Sequence, residues 1–244
     1  MNTTMTLTQK VFRAVITRIL HLLLRALCII DSQEFLNAIH GNKQIKAFEA
    51  PMIIAINHIN FLEIPMLVAL SYPVYLTGLV KDETWKNPFV GFLMDVYNAI
   101  PLNRDGSYVQ TFKQVQKIME KEQVFIAIAP EGTRSTNGIL SQGKAGIVQL
   151  ALLTGVPILP VVHFGGEKIW ENMRRLRRTP FHFRVGRPFR FKYEGRPDKK
   201  TKQAMLNELM GQIAALLPET MRGAYADQVS KEPEYLEFLE EKLD

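Results

Sequence analysis

The chain has a single cysteine, Cys28, so no intramolecular disulfide can form and a disulfide-stapled secreted scaffold is excluded. Metal-binding spacings are missing as well. The five histidines are scattered and neither Cys-x-x-Cys nor His-x-x-x-His occurs, so neither a metal nor a bound cofactor is expected. There is no P-loop and no Gly-x-Gly-x-x-Gly, which argues against a nucleotide site. A Gly-x-Ser-x-Gly elbow is also absent, so nothing marks a serine nucleophile. No nucleic-acid-binding motif appears, and the N-terminal basic residues are interleaved with leucines, so nucleic acid is not expected as a partner. Internal repeats and low-complexity linkers are lacking.

What is present describes an ordinary globular chain. Its 244 residues are 47% hydrophobic and 22% charged, enough for one well-buried domain. A net charge of +6 and a pI near 9.4 favour anionic partners: nucleic acid, an anionic membrane face or phosphorylated substrates.

Residues 11–30 read VFRAVITRILHLLLRALCII, an apolar stretch punctuated by Arg13, Arg18, His21 and Arg25. It is neither a secretory signal nor an uninterrupted membrane span. At helical pitch Lys10, Arg13, Thr17, Arg18, His21 and Arg25 share one arc, and Val15, Ile16, Ile19, Leu20, Leu23 and Leu27 face away from them. Such a helix packs on its own domain or lies in a bilayer interface; the breadth of the apolar face and the uniform sign of the charge favour docking on an anionic membrane surface. The tract RRLRR, Arg174 to Arg178, offers a second anionic contact or a solvated charge run.

Further along, PMIIAIN (51–57), VYLTGLV (74–80), VFIAIA (124–129) and PILPVVHF (157–164) have the length and bounding residues of buried strands. Residues 61–70, 84–97, 107–121, 143–154 and 199–217 carry helical spacing, and 181–191 alternates as a half-exposed strand. The fold class expected is α/β: a single domain with a central mostly parallel or mixed sheet flanked by helices, preceded by an amphipathic membrane-contacting helix. The boundaries expected are an interfacial segment over 1–40, the main domain over 41–218 and a charged helical tail over 219–244.

Four segments carry candidate chemistry. Asn57-His58-Ile59-Asn60-Phe61-Leu62-Glu63 follows a strand, at the sheet edge where open α/β folds take ligands. A carboxylate at 63 can fix the His58 tautomer and stabilise its imidazolium, leaving the other nitrogen to accept a proton. Asn60-x-x-Glu63 is equally a helix capping box. Ile100-Pro101-Leu102-Asn103-Arg104 ends in a guanidinium able to fork onto a phosphate. Pro130-Glu131-Gly132-Thr133-Arg134-Ser135 leaves another strand with a close-approach glycine, a hydroxyl and a second arginine, Glu131 either orienting the arginines or pairing with them. Gly143-Lys144-Ala145-Gly146 leads through a helix to Val156-Pro157-Ile158-Leu159-Pro160-Val161, an edge strand or pocket wall.

In this order the four segments resemble the glycerolipid acyltransferase family of the 1-acylglycerol-3-phosphate acyltransferase (PlsC) type, over roughly residues 50–165. That family shows Asn-His-x-x-x-x-Asp, an arginine block, Pro-Glu-Gly-Thr-Arg-Ser and Val-Pro-x-x-Pro-Val. Position 63 departs from it, with Glu for Asp, and IPLNR is a loose version of the arginine block. The resemblance implies a phospholipid-synthesis enzyme on the cytoplasmic face of the membrane, peripheral or monotopic. It would move a fatty acyl group from acyl-CoA or acyl-carrier protein, as co-substrate, to a lysophosphatidate-type acceptor. His58 would be the catalytic base and Glu63 its orienting acid. Arg104, Glu131, Gly132, Thr133 and Arg134 would bind substrate. A lysophospholipid, an aminolipid or glycerol 3-phosphate are alternative acceptors, and a non-catalytic lipid-binding protein is the alternative to an enzyme.

Overall fold

The computed structural model describes residues 7–42, 47–102, 108–135 and 137–239. These hold helices α1 (Leu7–Leu27), α2 (Gln33–His40), α3 (Glu63–Ser71), α4 (Pro88–Val96), α5 (Tyr108–Lys121), α6 (Gly146–Thr154), α7 (Ile169–Arg174) and α8 (Lys199–Leu216). The strands are β1 (Cys28–Asp31), β2 (Met52–Ile56), β3 (Leu76–Lys81), β4 (Ile100–Leu102), β5 (Phe125–Ile128), β6 (Ile158–Phe164), β7 (Thr179–Val185), β8 (Phe189–Phe191) and β9 (Leu236–Phe238).

All nine strands join one sheet, in the order β1-β7-β6-β2-β5-β3-β4, with β8 on β6 and β9 on β8. The pairings from β6 through β2, β5 and β3 to β4 are parallel, as is β1 with β7. The β6–β7, β6–β8 and β8–β9 pairings are antiparallel. This is the mixed, mostly parallel α/β sheet that strand–helix alternation predicts.

Because successive strand side chains point to opposite faces, each strand feeds two cores. Ile53, Ala55, Ile126, Ile158 and Val162 meet α5, α6 and α8 on one face. Ile54, Ile56, Phe125, Leu159 and Val161 meet α2 and α3 on the other. The same parity turns His163 toward the α3 face, which sets up the site.

Several expectations are corrected. The helix foreseen over 84–97 is a 3-10 turn at Asp82–Lys86 followed by α4. The break falls where the Asn87 side chain accepts from the N–H groups of Phe89 and Val90, with Pro88 opening the new helix. The strand foreseen over 181–191 is two strands, divided at Gly186-Arg187-Pro188. The tail expected as a helix over 219–244 makes, in its described part to residue 239, 3-10 turns at Glu219–Met221 and Gly223–Gln228 and then pairs β9 with β8. Alternation decides this, since buried Leu236 and half-buried Phe238 flank exposed Glu237 and Phe238 packs edge-on against Phe189 at 6.1 Å. The N-terminal segment likewise joins the sheet, through Cys28–Asp31 of β1.

The N-terminal helix also differs from its wheel. Arg13 and Thr17, placed there on the polar arc, are buried: the guanidinium lies 5.0 and 5.6 Å from the ring centroids of Tyr75 and Tyr97, and Thr17 Oγ1 meets Tyr97 Oη at 2.9 Å. Ile16, Leu20 and Leu27 pack on the core beside them, whereas Val15, Ile19 and Leu23 face outward. The broad apolar arc is thus shared between the domain and its surroundings.

Candidate functional site

The site is built where β2, β5 and β6 end side by side. Fully buried β2 delivers Asn57 and His58 into the turn that starts α3. His58 is half-buried, its side chain 26% exposed, and its Nδ1 contacts Oε1 of Glu63, which is 1% exposed. With Nδ1 committed to the carboxylate, proton exchange with a ligand falls to Nε2. His58 and Glu63 are therefore brought together as the sequence predicts.

The capping reading of Glu63 holds in part. Its Oε2 accepts from the N–H groups of Ile59 at 3.1 Å and Asn60 at 3.4 Å. Asn60 Oδ1 accepts from Leu62 N–H at 2.8 Å, and not from Glu63 as a full capping box requires. One carboxylate oxygen thus serves the turn before α3, whose N-cap Leu62 makes no side-chain cap bond, and the other serves the base.

Oε2 of Glu63 has a third neighbour, His163 Nε2 at 2.8 Å. His163 is completely buried and its pKa is pushed down to about 4, chiefly by burial. Sequence reasoning counted it as one more core position of PILPVVHF. The available signal was parity: 159, 161 and 163 share a face, and only the last is polar.

The loop after β5 is tied to the same place. Glu131, buried, accepts the main-chain N–H of His58 through Oε1 and that of Ser141 through Oε2, each at 2.7 Å. Ser135 N–H donates to the His58 carbonyl at 2.7 Å. Glu131, expected among the substrate-binding residues, staples this loop to the histidine, each of its oxygens accepting from a backbone donor. Burial raises its pKa, against the lowering effect of those two hydrogen bonds. Thr133 and Arg134 are exposed on the loop. Gly132 has φ +69°, and a Cβ there would lie 3.1 Å from the Lys144 side chain, so glycine lets Lys144 cross the loop closely. Arg104 lies outside the described residues.

Beside Gly132 and Lys144 opens a cavity of about 160 Å³. Its wall is apolar: Leu79, Leu102, Phe112, Ile128, Ile147 and Leu150. Near the histidine loop, Phe61 stacks on exposed Trp170 with ring centroids 5.0 Å apart. Cys28 is buried and its thiol is pushed up to about 11, mainly by desolvation, so it is no nucleophile. Among the described residues no group of His, Cys, Asp and Glu side chains converges to hold a metal ion.

This geometry suits a general base oriented by a carboxylate, tied by hydrogen bonds to a loop that carries cationic side chains and borders an apolar cavity. Residues 37–163 match the family model described as Acyltransferase. The chain is 30% identical over 133 residues to the chloroplastic 1-acyl-sn-glycerol-3-phosphate acyltransferase BAT2 of Brassica napus, covering 54% of this chain and 38% of that protein. It is 23% identical over 146 residues to the 1-acyl-sn-glycerol-3-phosphate acyltransferase of Bacillus subtilis, covering 58% and 72%. The aligned part is thus well under half of the plant relative's length. In fold it is similar to the crystal structure of the 1-acyl-sn-glycerophosphate acyltransferase PlsC from Thermotoga maritima, with a TM-score of 0.54, 20% identity and coverage of 82% and 78%.

Proposed function

Since the chain belongs to the acyltransferase family, we propose that it transfers a fatty acyl group from a thioester to the free hydroxyl of 1-acylglycerol-3-phosphate. The observation that carries this reading is His58 held on Glu63, with the Glu131–Ser135 loop hydrogen-bonded to its main chain. His58 Nε2 takes the proton of the acceptor hydroxyl as that oxygen attacks the thioester carbonyl. The C–S bond breaks, and the imidazolium returns its proton to the departing thiolate. A thioester is already activated, so no acyl-enzyme is required. Glu63 stabilises the transient imidazolium.

Arg134 on the exposed loop, with Arg104 as the second guanidinium, is assigned to the acceptor phosphate. The apolar cavity beside Gly132 is assigned to the acyl chain. No described helix is long and apolar enough to cross a membrane. The exposed Leu7, Val11, Val15, Ile19, Leu22 and Leu23 of α1, with Phe89 and Phe92 of α4, form a surface suited to lie in the bilayer interface. Phe12 joins the two helices by an edge-on contact with Phe92 at 6.3 Å. Exposed Lys10, Arg18 and Arg25 would meet anionic headgroups. Leu176, 96% exposed within RRLRR, offers the second contact.

The test is to incubate the purified protein with lysophosphatidate in vesicles and either acyl-CoA or acyl-carrier protein, following phosphatidate by mass spectrometry. Product formed by the wild type and lost in His58→Ala supports the reading. Absence of product with both donors, or equal product from the variant, overturns it.

A further inference from the structure

The proposed reaction uses one imidazole partner of Glu63; the structure gives that carboxylate two. Oε1 meets half-buried His58, and Oε2 meets His163 in the interior at 2.8 Å. The interior imidazole is fixed with unusual thoroughness. Asn57, the residue before His58, accepts the main-chain N–H of His163 at 2.9 Å and donates to its carbonyl at 3.0 Å. Both histidines are therefore referenced to the same turn.

A packing role alone does not account for His163. Its ring lies beside Phe181 and Phe183 of β7, at 6.4 and 6.0 Å between centroids, an apolar setting that leucine or phenylalanine would suit without polar atoms. Its Nδ1 is buried with no hydrogen-bond partner among the described residues. An unpaired buried nitrogen is a standing cost, so what the residue contributes must come from Nε2. Facing a carboxylate, Nε2 carries the proton and donates it. Of the three donors on Glu63 Oε2 this is the shortest contact, against 3.1 and 3.4 Å from Ile59 and Asn60.

We propose that His163 is a positioning residue: it acts through Glu63, holding the long side chain so that Oε1 stays on His58 Nδ1 during turnover. This rests on the acyl-transfer reading above. Burial keeps His163 uncharged, with its pKa near 4, so it orients the carboxylate without cancelling the negative charge that the His58 imidazolium needs. An aspartate at 63 draws its carboxylate back by a bond of about 1.5 Å and cannot span both rings.

The experiment is steady-state kinetics of His163→Leu and His163→Gln, each alone and with Glu63→Asp. His163→Leu should lower kcat about 10- to 100-fold while the acceptor KM stays within about twofold. His163→Gln, whose Nε2 donor sits near the imidazole position, should keep kcat within about fivefold of wild type. In the Glu63→Asp background His163→Leu should change kcat by less than about threefold, because the contact is already gone. Wild-type kcat in His163→Leu, or equal losses in the two backgrounds, overturns the proposal. If His163→Leu does not fold, His163→Asn decides: its donor is too short to reach Glu63, so equal kcat in the Asn and Gln variants also overturns it. His58→Ala separates the two ideas. An inactive His58→Ala beside a fully active His163→Leu rejects only the positioning role, whereas an active His58→Ala rejects acyl transfer by this base.

Discussion

Glu131 Oε1 holds the main-chain N–H of His58 at 2.7 Å, so the acid of one loop fixes the backbone of the proposed base on another. From the other side Ser135 N–H takes the His58 carbonyl. The peptide units flanking the imidazole are thereby bracketed by the segment that also carries Gly132, Thr133 and Arg134. Neither loop can shift alone, because the spacing between base and cationic loop is set by one main-chain hydrogen bond and by the buried Glu131 carboxylate. A charged acceptor suits this, since hydrogen bonds to an ionised group are the stronger kind.

Glu131→Gln tests the staple. The amide replaces one acceptor with a donor that must face a buried N–H, leaving that group unsatisfied at a cost of about 1–3 kcal/mol. Urea denaturation should show a loss of that size, and kcat should fall with it because His58 is released. Unchanged stability would mean the two bonds carry no weight.

His58→Ala should keep the far-UV circular dichroism spectrum and lower kcat by about 10²–10⁴-fold, the usual contribution of a positioned general base. Turnover near that of the wild type would remove the mechanism.

Arg134→Ala separates binding from chemistry. The side chain is exposed, so stability should change by less than about 0.5 kcal/mol. Loss of a charged hydrogen bond to phosphate, worth about 1.5–3 kcal/mol, should raise the acceptor KM about 10- to 100-fold. A KM that does not move would assign Arg134 to the loop's structure.

The sheet and the pairing of His58 with Glu63 were legible because both depend on local pattern: apolar runs of strand length, and an acid five positions after a histidine at a strand end. The His163 contact was not legible, because it joins residues 100 positions apart and depends on how β6 registers against β2. The contacts of Glu131 were hidden for a related reason. A glutamate beside an arginine reads as an ion pair or ligand group, and nothing local reveals that two remote N–H groups claim it. Arg13 misled because a helical wheel assigns polarity, not direction, and Tyr75 and Tyr97 make a buried place for a cation. The tail failed on period, three residues of alternation being too few to outweigh its charged, helix-favouring composition.

Leu22→Glu with Leu23→Glu tests the interfacial face of α1. Both side chains are more than half exposed, so thermal stability should hold. Each apolar side chain entering the bilayer contributes about 1.5–3 kcal/mol, so the pair should weaken co-sedimentation with anionic vesicles at least about tenfold. Partitioning equal to wild type would leave this face without a lipid role.

Acid should destabilise the protein through His163. Its pKa is about 4 when folded, against 6.5 for an ordinary histidine, because burial opposes the charge. Between those values the unfolded chain binds a proton that the native state refuses, so stability present above pH 6.5 is lost as pH falls toward 4, by up to about 1.4 kcal/mol per pH unit. Glu131 acts in the opposite sense. Its folded pKa is raised, so the native state takes up its proton first, and that uptake offsets part of the loss at the acidic end. Denaturation midpoints across this range should therefore fall less steeply in His163→Leu than in the wild type, and more steeply in Glu131→Gln. Parallel curves for all three proteins would show that neither group titrates differently in the folded and unfolded states.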